Sequence, residues 1–224
     1  MSLFIVWKIT SINIFGMKNI INILTTICLI LFSLSGNGSI ALSNETLKQF
    51  SISKRKTFST KRFPKAKGLH MTIDYPYTWT TKLGRRPNVV QVLQGKSNKG
   101  NLSQCIIIVK RFQRQGGEKI EFTPEVLQSI SGGMGAKYLN GGKTIIDNEP
   151  AGWLLTKQDV NQAGINITMY ALHYMILYNK YFISIQLSVG DLSENEKLKE
   201  DFFSMVPLFI QMGNSIIFPE KYKQ

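Results

Sequence analysis

Apolar and polar positions along residues 69–213 repeat with two different periods, and together these periods predict an α+β fold. From Ser103 to Phe112 both the odd and the even positions are apolar, which is typical of a central strand covered on both sides. Weaker alternation predicts further strands at residues 69–75, 88–93, 143–146 and 151–157.

The clearest pattern is a β-hairpin made of residues 165–178 and 181–189. Asn179-Lys180 forms its turn, because asparagine tolerates the positive φ that two-residue turns require. This turn pairs Tyr178 with Tyr181 and fixes the register of the remaining pairs. One face then carries Tyr170, Leu172, Tyr174, Ile176, Ile183, Ile185, Leu187 and Val189, and is expected to join the main core. The other face carries Met169, Ala171, His173, Met175, Ser184, Gln186 and Ser188.

Two helices complete the pattern. Thr123-Pro124 is a helix start, with threonine as the cap and proline at the first helical position, and Gly132-Gly133 ends that helix. The capping box Ser193–Glu196 opens a second helix with apolar residues at helical spacing. Because consecutive strands follow one another through short turns, we expect a mainly antiparallel sheet of about six or seven strands. With one helix on each face, the fold class is an α/β/α sandwich.

The N-terminal residues have the pattern of a secretory signal peptide. A start-like Met17-Lys18 precedes an apolar run at residues 20–34, which is shorter than the roughly twenty residues of a membrane-spanning helix. Ser39 and Ala41 are the small residues that signal peptidase requires, so we predict that residues 1–41 are removed. The alternative is an uncleaved membrane anchor that includes residues 3–7.

Composition after removal of this leader favours an anionic partner. Two lysines and no acid leave with it, so the net charge falls from +13 to about +11. Lipid head groups, acidic polysaccharide or an acidic protein face fit this charge, and no nucleic acid is expected outside the cytoplasm. Cys105 is the only remaining cysteine, which excludes an intramolecular disulfide.

Much of the positive charge lies in residues 42–67, where no apolar periodicity is visible. The sequence predicts a solvated basic linker there, which we call the basic arm. Its cations that are candidates for binding an anionic partner are Lys54, Arg55, Lys56, Lys61, Arg62, Lys65 and Lys67. The arm either acts as a solubilising tether or lies on an anionic membrane with Phe50, Phe58 and Phe63 inserted.

A second candidate surface combines aromatic rings with the bases Arg85 and Arg86. Aromatic residues interleaved with cations can form a recognition patch, and Tyr75, Tyr77 and Trp79 are its candidates. The alternative is that Tyr75 and Trp79 only pack against the end of the sheet.

The sequence predicts no catalytic, cofactor or metal site. The stretch 140–144 lacks the first glycine of a phosphate-binding loop. His70, His173 and Cys105 have no second ligand at metal-binding spacing, and an apolar strand raises the thiol pKa of Cys105. Two carboxylate pairs occur at loop positions, Glu118 with Glu121 and Asp147 with Glu149, where solvated surface is the simplest interpretation.

Three stretches carry a resemblance to a known family. They are DYPYTW (74–79), IIDNEPAGWLLT (145–156) and the long hairpin YALHYMILYNKYFISIQLS (170–188), followed by an amphipathic C-terminal helix. Together they resemble the PsbP/DcrB-like superfamily over residues 69–213. The resemblance implies an α/β/α sandwich that is often exported and that binds rather than catalyses, and it transfers no functional residue. It places the domain at residues 68–213 and a C-terminal tail at 214–224.

We therefore expect an exported, periplasmic or secreted, non-enzymatic binding or accessory protein of the cell envelope. Its partner is an unknown protein or an anionic envelope surface. The alternatives are a small envelope hydrolase, whose carboxylates the fold brings together, and a membrane-tethered structural subunit with an uncleaved leader.

Overall fold

The structure is a computed structural model that describes residues 48, 50–52, 54–112, 121–162, 165–192 and 196–223. The strands are β1 (Arg55–Ser59), β2 (Thr72–Pro76), β3 (Thr80–Leu83), β4 (Val89–Lys96), β5 (Leu102–Arg111), β6 (Lys137–Ile146), β7 (Glu149–Gln162), β8 (Ile165–Tyr178) and β9 (Tyr181–Asp191). The helices are α1 (Pro124–Gly133) and α2 (Glu196–Asn214). The predicted leader, Glu118 and the first three residues of the predicted capping box lie outside the described residues.

A seven-stranded antiparallel sheet forms the centre of the molecule, in the order β3-β4-β5-β9-β8-β7-β6. The chain builds β3, β4 and β5, crosses through α1 to the far edge at β6, and returns strand by strand until β9 pairs with β5. A separate two-stranded sheet contains β1 and β2. The predicted α/β/α sandwich with a mainly antiparallel sheet is confirmed.

The β8–β9 hairpin has the predicted register. Tyr178 pairs with Tyr181, and Asn179 adopts a φ of 51° in the turn. Neighbouring residues of a strand point to opposite faces, so this register also determines the two faces of the sheet. The face expected to join the main core does so, and α2 covers it. We call it the α2 face, and the opposite side, on which α1 packs, the α1 face.

The α2 face is closed by an apolar stripe along the helix. The buried residues of that stripe are Leu198, Phe202, Met205, Leu208, Phe209 and Met212. One buried carboxylate, Asp201, binds the β4–β5 turn instead: it accepts from the Ser97 hydroxyl, from the Lys99 backbone N–H at 3.0 Å and from Asn101 Nδ2 at 2.9 Å. These hydrogen bonds replace water around a charge that would otherwise destabilise the fold.

The α1 face has a smaller core and a more polar one. α1 begins as predicted, with the Thr123 side chain accepting from the Val126 backbone N–H, and it buries Leu127 against β6 and β7. His173 and Gln186 form a cross-strand pair in the middle of this face, and both are almost fully buried. His173 Nε2 lies 2.9 Å from the Thr156 hydroxyl.

The interpretation of the basic arm as a solvated linker is wrong for residues 54–67. Arg55–Ser59 pair with β2 along their whole length, and Pro64–Ala66 form a 3₁₀ helix with Ala66 fully buried. Phe50 and Phe58 lie in the core of the α2 face, so neither ring is available to enter a membrane. The absence of apolar periodicity misled the prediction, because a five-residue strand needs only one inward-facing residue to attach it to the core. The boundary of the leader at Ala41 stays a prediction.

The predicted C-terminal tail packs on the fold over its described residues, 214–223. Ile216 and Phe218 are buried, and Phe218 stacks on Tyr178 with 4.2 Å between ring centroids. Ile217 makes a β-bridge to Thr72, so this segment packs against the start of β2.

The edge strand β6 starts at Lys137, earlier than the predicted start at Lys143. The predicted start is too late because Gly141 and Gly142 were interpreted as part of the loop before the strand. A Cβ at Gly142 would lie 3.1 Å from Trp153 Nε1, so the missing side chain leaves room for the indole ring of the neighbouring strand. Neither helix in the described ranges combines the length and apolar character needed to span a bilayer.

Candidate anion-binding site

The chain that joins β1 to β2 brings lysines of the basic arm to one end of the seven-stranded sheet. Lys65 Nζ donates to the backbone carbonyls of Gly84 and Arg86, the latter at 3.1 Å. Lys67 Nζ donates to Asn88 Oδ1 at 2.8 Å. These contacts fix the lysines beside the loop that precedes β4, and the Asn88 carbonyl in turn accepts from Val109 near the end of β5.

Cations from three other segments meet the arm at this end. Lys110 and Arg111 end β5, and the backbone N–H of Phe112 donates to the Lys180 carbonyl in the β8–β9 turn at 2.7 Å. We call the resulting surface the basic end; it contains Lys61, Arg62, Lys65, Lys67, Arg85, Arg86, Lys110, Arg111 and Lys180. The Arg86 carbonyl accepts from Lys65, so the backbone of the predicted pair Arg85 and Arg86 runs beside the arm, and the cations of β5 and of the β8–β9 turn are additional.

Three predicted cations lie elsewhere. Lys54, Arg55 and Lys56 are at the opposite end of β1, about 13 Å along the strand from Ser59. Arg55 pairs with Asp74 at 3.2 Å, and Lys56 Nζ lies 5.3 Å from the centroid of the Tyr77 ring. The structure thus divides the cations of the basic arm into two groups. The group at residues 54–56 already has an acid and an aromatic ring as partners.

Lys67 is held by its backbone as well as by its side chain. It ends the 3₁₀ helix in the left-handed region, with a φ of 57°. Its carbonyl oxygen accepts from the Tyr181 hydroxyl at 3.0 Å and from Arg111 Nη2 at 3.4 Å. Two side chains from neighbouring strands of the central sheet therefore set the place of this residue.

Lys110 is half-buried, and burial together with the nearby charge of Lys67 lowers its pKa to about 8. Both causes disfavour the charged form of the amine. Among the described residues, no ion pair includes Lys65, Lys67, Lys110 or Arg111. The acceptors found for Lys65, Lys67 and Arg111 are uncharged carbonyl and amide oxygens.

The predicted aromatic patch is not assembled. Trp79 is 1% exposed and lies over Gly95, where a Cβ would come within 2.3 Å of its ring. Tyr75 is 7% exposed and belongs to the same core, whereas Tyr77 is 59% exposed. Tyr75 and Trp79 therefore pack as the alternative interpretation expected, and Tyr77 alone of the three presents its ring to solvent.

The remaining candidates for chemistry have structural contacts. Asp147 accepts from the Phe218 backbone N–H at 2.7 Å and from the Tyr222 hydroxyl, and Glu149 pairs with Lys221 at 2.7 Å. Glu121 pairs with Lys143 at 2.7 Å.

The cysteine and the two histidines lie apart from one another. Cys105 is fully buried, and burial raises the pKa of its thiol, as predicted. His70 contacts Glu220 at 2.9 Å, whereas His173 is buried on the α1 face. Over the described part of the chain, no three metal-ligating side chains come together.

No protein-family model matches the chain, and no curated protein matches it. It is similar to cyanobacterial PsbP (CyanoP) from Synechocystis sp. PCC 6803, over 84% of this chain and 98% of that one, with 13% identity and a TM-score of 0.49. It is similar to LpqN, a protein of cell envelope biogenesis in Mycobacterium tuberculosis, over 81% and 98%, with 9% identity and a TM-score of 0.41. PA94 of Pseudomonas aeruginosa, a protein of unknown function, shares 13% identity over 73% of this chain and 96% of its own, with a TM-score of 0.38.

Proposed function

We propose that this protein is an exported, non-enzymatic accessory protein of the cell envelope that binds an anionic surface through its basic end. The observation that carries the proposal is the set of fixed cations at that end. Lys65, Lys67 and Arg111 are held by neutral oxygens, so their charge stays available to a partner. A surface of one sign both attracts an anionic partner and orients it.

The non-enzymatic part of the proposal is supported by the contacts of the polar side chains. Asp147 and Glu149, one of the two carboxylate pairs noted in the sequence, bind the C-terminal segment. The buried Asp201 binds the β4–β5 turn. A hydrolytic pair of carboxylates has to face a substrate, and these three carboxylates are occupied within the fold.

Export is supported by the leader pattern in the sequence. N-terminal sequencing of the protein recovered from the envelope tests it, with a first residue at position 42 as the expected result. A mature product that begins at residue 1 would instead favour the anchored alternative.

Binding to the anionic surface is tested by co-sedimentation with lipid vesicles. We expect the protein to sediment with phosphatidylglycerol-containing vesicles and to stay in solution with phosphatidylcholine alone. Raising the salt from about 0.1 M to about 1 M shortens the electrostatic screening length from about 10 Å to about 3 Å, and should release it.

A matched pair of double variants locates the contact. Lys61→Glu with Arg62→Glu reverses two exposed charges at the basic end, and Lys54→Glu with Lys56→Glu reverses two at the opposite end of β1. Each basic residue near an anionic surface contributes about 1 kcal/mol, so we expect the first pair to weaken binding about thirtyfold or more. The second pair changes the net charge equally and should have much less effect. Equal loss in both variants would contradict docking through the basic end.

A further inference from the structure

We propose that the edge strand β6 pairs with β6 of a second copy of this chain, so that the two sheets join across a two-fold axis at Lys143. Among the described strands β6 has a single neighbour, β7. It is the longer of the two edge strands of the sheet, with ten residues against four in β3. This surface is separate from the basic end, so the inference does not rest on the function proposed above.

The first argument is the direction of the backbone groups along β6. A two-residue turn closes the β6–β7 hairpin, and both of its residues have positive φ, 49° and 61°. The closing pair, Ile146 with Glu149, is hydrogen-bonded in such a hairpin, and the following pairs alternate. Pro150 has no N–H to donate, and it falls at the next pair, which is not hydrogen-bonded. The backbone groups that point away from β7 therefore belong to Gly141, Lys143 and Ile145.

The second argument is the complementary shape of these residues on the α1 face. An antiparallel pair of β6 strands with its axis at Lys143 places the partner's Ile145 opposite Gly141, because both lie two residues from the axis. Ile145 is 70% exposed in the single chain, and Gly141 has no side chain to obstruct it. Leu127 and Tyr138 lie beside Gly141 and offer apolar contact to the incoming isoleucine.

The same symmetry matches the positions on the α2 face of the edge. The partner's Thr144 lies opposite Gly142, since each is one residue from the axis. The ring of Trp153, from the neighbouring strand β7, lies beside the place where Gly142 lacks a side chain. On both faces, therefore, a larger side chain of one copy meets a glycine of the other.

The third argument is the balance of charge at the axis. The pairing brings the two Lys143 residues directly opposite each other, which by itself is destabilising. Lys143 Nζ lies 2.7 Å from a carboxylate oxygen of Glu121 in its own chain. Two ammonium groups and two carboxylates then surround the axis, and their charges cancel. Because each chain carries a net charge of +13, two copies approach best where opposite charges are paired in this way.

The arrangement is closed, and it is small. A two-fold axis uses each β6 edge once, so pairing there ends in a dimer and not in a fibre. The bulge at Leu139 limits the regular pairing on one side, and the β6–β7 turn limits it on the other. Three outward residues on each strand allow about six backbone hydrogen bonds between the copies. An interface of one short strand per copy implies a weak dimer.

The first test is sedimentation of the full-length protein at rising concentration, up to about 1 mM. A salt concentration of about 0.15 M limits repulsion between two basic chains to about 8 Å. Ile145→Lys should weaken the dimer about tenfold or more, because it adds a charge beside the axis and removes the apolar contact. Leu83→Lys is the matched control, since Leu83 is 71% exposed on the opposite edge strand, and it should leave dimerisation unchanged.

A charge exchange tests the axis itself. Lys143→Glu places four carboxylates around it, and Glu121→Lys places four ammonium groups there, so each should abolish the dimer. The double variant with both changes restores the balance of charge and should dimerise as the natural protein does. Thermal unfolding of each variant confirms that the chain is folded, and failure of the double variant to recover would contradict the assigned axis.

Hydrogen exchange locates the contact along the strand. In dilute solution the outward amides of Lys143 and Ile145 should exchange rapidly, whereas those of Gly142 and Thr144, which bond to β7, should be protected. Raising the protein concentration should protect the outward amides as well. The proposal is wrong if the protein stays monomeric up to about 1 mM, if protection appears away from β6, or if both lysine variants affect the dimer equally.

Discussion

The two faces of the β8–β9 hairpin show how one pair of strands supports two kinds of core. On the α2 face every hairpin residue from Tyr170 to Ile176 that points inward is apolar, and the helix above it buries Phe202 and Phe209 completely. On the α1 face the same strands bury His173, Gln186 and Ser188. The difference indicates that the α2 face supplies most of the stability. The α1 face buries polar groups of two kinds: His173 has a hydrogen-bond partner, whereas the Ser188 hydroxyl has none among the described residues.

The largest expected effect is on the α2 face, at Phe202. Its side chain is fully buried, and its ring centroid lies 5.7 Å from that of Tyr170. Phe202→Ala removes an aromatic ring and leaves a cavity, so we expect the free energy of unfolding to fall by about 3–5 kcal/mol. Chemical denaturation measures this loss.

The neighbouring Phe203 is the matched control, because it is 45% exposed on the same helix. Phe203→Ala should reduce stability by less than about 1 kcal/mol. Similar losses at both positions would mean that α2 does not pack on the sheet as described.

The next largest effect is expected at Asp201, the charged residue on the α2 side. Asp201→Ala leaves the Ser97 hydroxyl, the Lys99 N–H and the Asn101 amide without their acceptor. Lost hydrogen bonds to a buried charge should reduce the free energy of unfolding by about 3 kcal/mol. The adjacent Glu200 pairs with Lys99 in solvent, and Glu200→Ala should change stability little. A tolerated Asp201→Ala would show that the turn needs no carboxylate.

The third prediction concerns pH and belongs to the α1 face. Burial lowers the pKa of His173 from its ordinary 6.5 to about 4, so the folded protein holds this imidazole neutral. Below pH 6.5 the unfolded chain takes up the proton more readily, and stability should fall as the pH falls toward 4. The shift corresponds to a loss of about 3 kcal/mol at pH 4.

Unfolding at several pH values, with His173→Gln for comparison, measures this effect. The variant cannot be protonated there, so its stability relative to the natural protein should improve steadily from pH 7 to pH 4. Parallel curves for the two proteins would show that His173 is already accessible to water and would remove the contrast between the faces.

The sequence was sufficient for those parts of the fold that depend on local patterns. The β8–β9 register follows from a two-residue turn, and the start of α1 follows from Thr123 and Pro124. Strand β3 was missed, and β1 was interpreted as linker, because each is short and exposes most of its side chains. Pairing with a neighbour, which no local pattern reveals, determines both strands.

The candidate site was predictable only in part for the same reason. Charge density alone identified Lys65, Lys67 and Arg86 as candidates. Arg111 was not identified, because it follows an apolar strand and meets Lys67 across 44 residues of sequence. Lys110 was missed in the same way, since its importance arises from burial and from a neighbour that only the folded chain provides.

The smallest expected effect has the opposite sign and tests the comparison most directly. On the α1 face Gln104 is 2% exposed, and no described residue forms a hydrogen bond with its Oε1. Gln104→Met keeps the side-chain length and removes a polar group buried without a partner, so we expect a gain in stability of about 1 kcal/mol.

Gln158 is the control on the same face, because it is also buried but its Nε2 donates to the Met134 carbonyl at 3.1 Å. Gln158→Met breaks that hydrogen bond and leaves a carbonyl unsatisfied, so it should destabilise the protein by about 1–2 kcal/mol. The two substitutions are chemically identical, but Gln158 has an observed hydrogen bond, whereas the amide oxygen of Gln104 has no partner among the described residues. If Gln104→Met also destabilises the protein, the amide oxygen of Gln104 must have a hydrogen-bond partner in solution. The two glutamines of the α1 face would then both be buried with their hydrogen bonds made.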